Sequence, residues 1–243
     1  MSTIERAADR STRASVAVVI AAHNEAERVG ATLAAVELAF PGARVWLADD
    51  GSGDATAQTA LELGAQVVSS ARAIGKGAAM TGAARVALHE ASVTTRDPDS
   101  QSIYVLCDGD LGDSAVALAA LADAVARGDA DVAVAAFARR VGGGVGLALA
   151  FARWAIRRRC GLRTIAPISG QRALSEQALR EVLPFADGYG MEIGMTIDAV
   201  RAGYRVIEIE LDLAHRATGR TLAGFLHRGR QLVDFVLVYV ARR

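Results

Sequence analysis

Short apolar runs rich in β-branched residues alternate along the chain with stretches of helical periodicity, and this alternation constrains the fold most. The first run, Ser15 to Ala22, is apolar at nearly every position, which is typical of a strand covered on both faces. Strands are predicted at residues 15–22, 43–48, 66–69, 103–107, 131–136 and 205–211. Helices are predicted at about 25–37, 55–63, 78–90, 114–127, 147–160, 175–183, 193–202 and 221–240. This order predicts an α/β fold with a mostly parallel central sheet and helices on both of its faces.

Polar loops follow three of the predicted strands at the point where each strand ends. The first begins at Asn24, the second at Asp49 and the third at Asp108. In open α/β sheets, ligands bind in the crevice beyond the carboxyl ends of the strands. We therefore expect all three loops to line one binding crevice.

The third of these loops carries two carboxylates one residue apart, Asp108 and Asp110, with Gly109 between them. Alternation along an extended chain points residues i and i+2 the same way, so the two carboxylates repel each other unless a cation lies between them. Divalent ions such as Mg²⁺ take oxygen ligands and often share them with phosphates. The pattern favours a metal that holds a diphosphate, and an acidic loop without a metal is the alternative.

Composition excludes some classes of protein. The chain has 243 residues, of which 52% are hydrophobic, so a sizeable core is expected. Its formal net charge is +0, which argues against nucleic acid as a partner. The two cysteines, Cys107 and Cys160, form no metal-ligand spacing and fit a reduced, cytoplasmic protein. Residues 1–14 are polar and are expected to form a disordered tail, and 15–243 a single domain without an internal linker.

Six segments in a fixed order give the chain its resemblance to a known family. They are Ile20 to Glu25, Ala48 to Asp54, Gly75 to Gly77, Asp108 to Leu111, Gly188 to Gly194 and Ala214 to Arg216. Together they resemble the GT-A nucleotide-sugar glycosyltransferases of the family 2 type and, more closely, the glucosyl-3-phosphoglycerate synthases. The resemblance implies a Rossmann-like GT-A fold with a nucleotide-binding half at 15–137 and an acceptor-binding half at 138–243. It also implies Mg²⁺ or Mn²⁺ as cofactor.

The resemblance assigns roles to individual positions. It places the nucleotide-sugar on Ala22, Asn24, Glu25, Asp50, Gly51, Lys76, Asp108 and Gly109. It places the acceptor on Gly143, Gly144, Gly170, Tyr189 and Arg216. Asp110 and His215 would be the metal ligands, and Asp110 and Glu192 the catalytic residues. Glu192 would hold sugar hydroxyls or take the acceptor proton. The structural alternatives are a first-turn glutamate for Glu25 or Glu192, an Asx turn for Asp50 and a solvated lysine for Lys76.

One loop departs from the phosphoglycerate-using enzymes. Those enzymes carry an Arg and a Thr after a triple glycine, whereas Gly142 to Gly144 are followed here by Val145, Gly146 and Leu147. An acceptor phosphate would lose charge-assisted bonds of about 1.5–3 kcal/mol each, so 3-phosphoglycerate is not expected as the acceptor. Another anion site, or the solvated end of a helix, is predicted for Arg153, Arg157, Arg158, Arg159 and Arg163.

The sequence therefore predicts a metal-dependent enzyme that moves a hexose from a UDP- or GDP-sugar to a small-molecule or lipid-phosphate acceptor. One alternative is a polyprenyl-phosphate sugar transferase peripheral at the inner membrane face, and another is a nucleotide-sugar-binding protein without transfer activity. A Rossmann dinucleotide enzyme fits less well, because Thr56 stands where its glycine pattern needs a third glycine. The apolar stripe of the last helix fits a core contact, a homodimer face or a membrane contact. The stereochemical outcome stays open.

Overall fold

A computed structural model describes residues 15–94, 102–137, 146–213 and 233–242. The strands are β1 Ser15–Ala22, β2 Arg44–Asp49, β3 Gln66–Ser69, β4 Ser102–Asp108, β5 Val132–Phe137, β6 Arg172–Ser175 and β7 Val206–Leu211. The α-helices are α1 Val29–Ala39, α2 Thr56–Glu62, α3 Lys76–Thr94, α4 Ala119–Ala126, α5 Leu147–Cys160, α6 Glu176–Val182, α7 Met191–Arg201 and α8, residues 233–241. Two 3₁₀ helices span Gly112–Leu118 and Gly188–Gly190.

Within the described residues, the strands form one sheet of order β3-β2-β1-β4-β6-β5-β7. Every pairing is parallel except those of β6, which runs antiparallel to both β4 and β5. The predicted mostly parallel α/β fold is confirmed. Strand β6 was not predicted, because its four residues, Arg172 to Ser175, contain no β-branched residue and directly precede a helix.

Side chains alternate across the sheet and build a core on each face. In β1, Val18 and Ile20 pack with α1 residues such as Leu33, whereas Val19 packs on the opposite face with α3 residues such as Met80. A third, smaller cluster joins α5, α7 and α8; its members are Ala152, Ile156, Ile193, Ile197, Phe235 and Val238. The sheet is therefore covered on both sides, as the apolar run of β1 predicts.

The parallel register brings the ends of three strands to one edge of the sheet. Ala22 of β1 is level with Asp49 of β2, and Ala21 is level with Asp108 of β4. Backbone hydrogen bonds continue just past the strands, from Asp50 to Ala22 at 3.0 Å and from Gly109 to Ala21 at 2.8 Å. The three polar loops that follow these strands therefore lie side by side, which confirms the predicted convergence.

Some helix boundaries differ from prediction. The first helix begins at Val29 rather than near residue 25, and residues 26–28 before it form a turn in which the Arg28 N–H donates to the Glu25 carbonyl at 2.9 Å. The helix predicted at 114–127 is a 3₁₀ segment followed by α4. Helix α2 follows Ala55, and the Asp54 carboxylate accepts a hydrogen bond from the Thr56 backbone N–H at 3.0 Å. Residues 1–14, the expected tail, and most of the predicted helix 221–240 lie outside the described residues. Among the described helices, none has the length and apolarity required to cross a bilayer.

Candidate active site

A cavity of about 330 Å³ opens at the edge where the three loops meet. Its lining comes from the ends of β1, β2 and β4, from the start of α3 and from the turn before α7. The lining residues are Ala21, Ala22, His23, Glu25, Ala48, Asp50, Lys76, Ala79, Asp108, Gly109, Asp110 and Tyr189. The structure thus gathers residues from five separate segments of the sequence around one space. Most of the residues assigned to the nucleotide-sugar by resemblance are among them.

The charged centre of this site is Lys76 between two carboxylates. Its Nζ lies 2.7 Å from Oδ1 of Asp108 and 2.9 Å from Oε1 of Glu192. Glu192 is only 6% exposed and stands in the first turn of α7, directly after the glycine turn, Gly188 to Gly190. Burial by itself lowers the pKa of Lys76, but the charges and hydrogen bonds of Asp108 and Glu192 outweigh burial and raise that pKa above its ordinary value. Lys76 therefore stays cationic at neutral pH.

Asp108 is also held by Gln171, which the sequence analysis did not assign to the site. The Nε2 of Gln171 donates to Oδ2 of Asp108 at 2.8 Å, and Ser169 donates to Oε1 of Gln171 at 3.2 Å. Gly170 lies against the ion pair of Lys76 and Asp108, since a Cβ on Gly170 would stand 2.6 Å from Nζ of Lys76. The role of Gly170 in acceptor binding stays a prediction, and a side chain there would displace the Lys76 ammonium from its observed position.

Asp110 is half-buried on the cavity wall, two residues beyond Asp108. The described residues contain no group of three or more His, Cys, Asp or Glu side chains that could hold a metal ion. Oδ1 of Asp108 forms an ion pair with Lys76, and Oδ2 accepts a hydrogen bond from Gln171. Of the two carboxylates, Asp110 is therefore the better placed to bind a metal ion. His215, the second predicted ligand, lies outside the described residues, as do Arg216, Gly143 and Gly144. A carboxylate on this wall fits a hard divalent ion.

The loop after β1 is cross-linked to the loop after β2. Asn24 accepts a hydrogen bond from the Gly53 backbone at 2.8 Å, and its own N–H donates to Ser52 at 2.9 Å. The backbone N–H of Glu25 donates to the Thr56 hydroxyl at 2.8 Å. The Asn24 side chain therefore holds the loop that presents Glu25 to the cavity.

Asp50 connects the loop after β2 to the start of α3. One of its carboxylate oxygens accepts from the backbone N–H groups of Ile74 and Gly75 at 2.6 and 3.0 Å. Gly51 at φ +68° lies so close to this segment that a Cβ would stand 2.4 Å from the Arg72 carbonyl carbon. Asp50 thus fixes the backbone that leads to Lys76. Its predicted contact with the base or ribose stays a prediction.

Arg172 links two of the segments that surround the charged centre. It is fully buried, and its guanidinium donates to the Ser169 carbonyl at 2.9 Å and to the Thr196 hydroxyl at 2.9 Å. Thr196 in turn donates to the Glu192 carbonyl at 2.9 Å. Burial lowers the pKa of Arg172 to about 10, against the opposing charges of Glu192 and Glu208, so the guanidinium stays charged at neutral pH. Arg172 ties the Gln171 segment to the helix that carries Glu192.

The family model for glycosyl transferase family 2 matches residues 17–181, which run from the third residue of β1 past β6 and include most of the cavity lining. The chain belongs to glycosyl transferase family 2. It is a glycosyltransferase of GT-A fold, as the sequence resemblance implied. No curated protein sequence is significantly similar to this family 2 glycosyltransferase.

Solved structures similar to this family 2 glycosyltransferase include glucosyl-3-phosphoglycerate synthase from Mycobacterium tuberculosis. The synthase in complex with Mn²⁺, uridine diphosphate and glucosyl-3-phosphoglycerate is 25% identical, with a TM-score of 0.70 over 99% of this chain and 84% of the synthase chain. A complex of the same synthase with Mn²⁺, UDP-glucose and glycerol 3-phosphate gives 25% identity and a TM-score of 0.70, over 100% and 84% of the two chains. A mycobacterial protein with 23% identity and a TM-score of 0.75, over 100% and 79%, shares the fold.

Proposed function

We propose that this glycosyltransferase moves a hexose from a UDP-sugar to a hydroxyl or phosphate acceptor with the help of a divalent metal. The observation that carries the proposal is the meeting of Asp108, Asp110 and Lys76 at the carboxyl edge of the sheet, with Glu192 paired to the lysine. Oxygen ligands and a fixed cation are what a sugar diphosphate needs at its phosphates. Further support is that the similar synthase binds Mn²⁺ and UDP-glucose.

Asp110 would hold the metal, with His215 as the second ligand that the sequence resemblance suggests. A bound Mg²⁺ or Mn²⁺ would neutralise the charge that develops on the departing diphosphate. Asp108 is oriented by Lys76 and Gln171, so its carboxylate is fixed before any ligand enters. Preorganised groups of this kind need little rearrangement during the reaction.

Lys76 supplies a fixed positive charge at the same wall. An ammonium has three N–H donors, and two of them are used by Asp108 and Glu192 within the described part of the chain. The third donor would bind an oxygen of the sugar or the diphosphate. Because the pKa of Lys76 is raised by these two carboxylates, this donor stays protonated throughout the neutral range.

Glu192 would bind the sugar or act on the acceptor. Its Oε1 accepts from Lys76, and a carboxylate has a second oxygen that would accept a hydrogen bond from a sugar hydroxyl or take the proton of an acceptor hydroxyl. Tyr189, three residues before Glu192, lines the cavity, so the glycine turn lies beside the cavity. We therefore propose Glu192 as the residue that joins donor and acceptor recognition.

Metal-dependent nucleotide binding is the first test. We expect UDP with Mn²⁺ to raise the melting temperature, whereas UDP alone should raise it less, because binding to the folded state stabilises it by mass action. Asp110→Asn should abolish the additional effect of Mn²⁺. Asp113→Asn is the matched control, since Asp113 is an exposed carboxylate in the 3₁₀ helix that follows Asp110. GDP and NAD serve as comparison nucleotides.

If UDP with Mn²⁺ raises the melting temperature of Asp110→Asn as much as that of the wild type, Asp110 is not a metal ligand. His215→Ala is a second, independent arm, and normal metal dependence in both variants would reject the proposed ligand pair. Preferential stabilisation by GDP would correct the base but keep the reaction class. Stabilisation by NAD without metal would favour a dinucleotide enzyme.

Sugar transfer is tested with a panel of nucleoside diphosphate sugars, and the nucleoside diphosphate released from each donor is measured. Slow hydrolysis of a UDP-hexose without acceptor would exclude a protein that only binds the nucleotide-sugar. Acceptors would then be compared as 3-phosphoglycerate, glycerol 3-phosphate and a short polyprenyl phosphate. We expect 3-phosphoglycerate to be the weakest of these because Val145, Gly146 and Leu147 replace the polar residues after the triple glycine. Efficient use of 3-phosphoglycerate would overturn that expectation.

A further inference from the structure

The C-terminal helix α8 packs directly against the turn that precedes Glu192. Oδ2 of Asp234 accepts a hydrogen bond from the Tyr189 backbone N–H at 3.1 Å. Gly188 adopts φ +55°, and a Cβ there would stand 2.2 Å from the same Oδ2. The Asp234 carboxylate thus occupies the space that a side chain at position 188 would need.

The rest of α8 follows the same turn and the helix after it. A Cβ on Gly190 would stand 2.1 Å from Cγ2 of Val238, one helical turn beyond Asp234. At the end of α8, the Arg242 guanidinium binds both carboxylate oxygens of Asp198 at 2.6–2.8 Å. Helix α8 therefore contacts both the turn and, through Arg242, the later part of α7, and the glycines of the turn make the close approach there possible.

We infer that Asp234 is a positioning residue for the Glu192 carboxylate, and this inference rests on the role proposed above for Glu192. Glu192 is the second residue of α7, which follows the turn directly, and its carboxylate lies 2.9 Å from Nζ of Lys76. The hydrogen bond from Tyr189 to Asp234 fixes the backbone three residues before Glu192. Loss of this bond would let the turn shift and move the carboxylate away from the reacting groups.

A merely structural role for Asp234 makes a different prediction. A side chain that accepts a hydrogen bond between two packed segments adds to stability, and its removal would lower stability without changing the chemistry of the site. The two roles separate when catalysis and stability are measured on the same variants. Asp234→Asn is the informative conservative change, because an amide oxygen can still accept from the Tyr189 N–H.

The kinetic test compares Asp234→Ala, Asp234→Asn and the control Val233→Ala, whose side chain is exposed on the same helix. We expect Asp234→Ala to lower kcat by about tenfold to a hundredfold, the size of effect that small misplacements of reacting groups produce. The KM for the donor should change little, and Asp234→Asn should restore most of kcat. Unchanged kcat in Asp234→Ala, with only a lower melting temperature, would overturn the inference.

A double-mutant cycle tests whether Asp234 acts through Glu192. If it does, Asp234→Ala should have little further effect on kcat once Glu192→Gln has been introduced. Additive losses in the double variant would contradict the inference even if each single variant is impaired.

Hydrogen exchange of the Tyr189 amide supplies a readout that does not depend on the reaction. We expect this amide to exchange faster in Asp234→Ala than in wild type and Asp234→Asn. Faster exchange in a protein that transfers no sugar from any donor would mean that the proposed function has failed while the contact is real. Unaltered exchange in Asp234→Ala would reject the positioning role itself.

Discussion

Lys76 has an unusual position among the basic residues because it is the only lysine in a chain with 27 Lys and Arg residues. Arginines therefore provide every other basic side chain. A lysine ammonium is a compact charge, which lets one nitrogen approach both Asp108 and Glu192 within 3 Å. Its neighbours favour the protonated form, so the site has a permanent cation facing the cavity.

This charge pattern predicts low reactivity of Lys76 toward amine-acylating reagents. Only the unprotonated amine reacts, and one pKa unit changes the unprotonated fraction about tenfold. We therefore expect acylation of the native protein at mildly alkaline pH to be at least about tenfold slower than that of the urea-unfolded chain. Mass spectrometry of the Lys76 peptide measures the rate, with the N-terminal amine as internal standard. Equal rates in the native and unfolded chains would contradict the structure of this site.

The stability that Lys76 contributes should depend on pH in one direction. Its folded pKa is above the ordinary value of 10.5, so the contribution is complete below that value and decreases as the pH rises above it. We expect Lys76→Met to lower the free energy of unfolding by about 2 kcal/mol, less than for a fully buried pair, since 28% of the side chain is exposed. Urea titrations of both proteins at about pH 7 and about pH 9 should give the same difference. A difference that disappears by pH 9 would contradict the raised pKa.

At the scale of elements, the site depends on how closely α3 approaches the segment before the glycine turn. Gly77 is the second residue of α3, and a Cβ there would stand 1.9 Å from the Ala186 carbonyl oxygen. This approach brings Lys76 near Glu192, although 116 positions separate them in the sequence. Gly82 lies in the same helix with ordinary space around it, 3.8 Å from Val68.

The two glycines of α3 therefore predict opposite effects of the same substitution. Gly77→Ala should destabilise the protein by about 1–3 kcal/mol and weaken nucleotide binding, because the added methyl group forces backbone apart. Gly82→Ala should stabilise it by up to about 1 kcal/mol through helix propensity. Chemical unfolding measures both changes. Destabilisation by both, or by neither, would mean that close packing at residue 77 does not control the approach of α3.

At the scale of the whole molecule, the sheet order bears on the predicted division into two halves at residue 137. Strand β6, from the second half, lies between β4 and β5, which both come from the first half. Strand β7 then covers the far edge of β5. Removal of residues after 137 would separate β5 from the rest of the sheet. The two halves are therefore expected to fold as one cooperative unit.

The two tryptophans allow this expectation to be measured. Trp46 is buried in β2, and Trp154 is 50% exposed on α5, so each reports on a different half. In Trp154→Phe and Trp46→Phe variants, the remaining fluorescence should change with urea at the same midpoint as the far-ultraviolet circular dichroism. The third core cluster couples α5 to α7 and α8 and makes independent loss of this region unfavourable. Two separated midpoints would instead support two independently folding domains.

Local sequence pattern alone was sufficient to predict most of the strands and helices. It also predicted the edge of the sheet at which the site lies. The run at 66–69 was predicted with its observed limits, and the acidic loop was placed correctly after β4. These features depend on neighbouring residues, because strand and helix periodicity and turn chemistry are local properties. The resemblance in six short segments was enough to predict the family, and the match to the family model confirms that prediction.

Tertiary structure decided what holds the site together. The bond from Gln171 to Asp108 spans 63 positions and that from Tyr189 to Asp234 spans 45, and β6 is a strand only because β4 and β5 lie on either side of it. None of these partners has a local pattern that identifies the other. Sequence therefore indicated the candidate groups of the site, whereas folding determined which distant residues orient them, because orientation depends on contacts that exist only after the chain has packed.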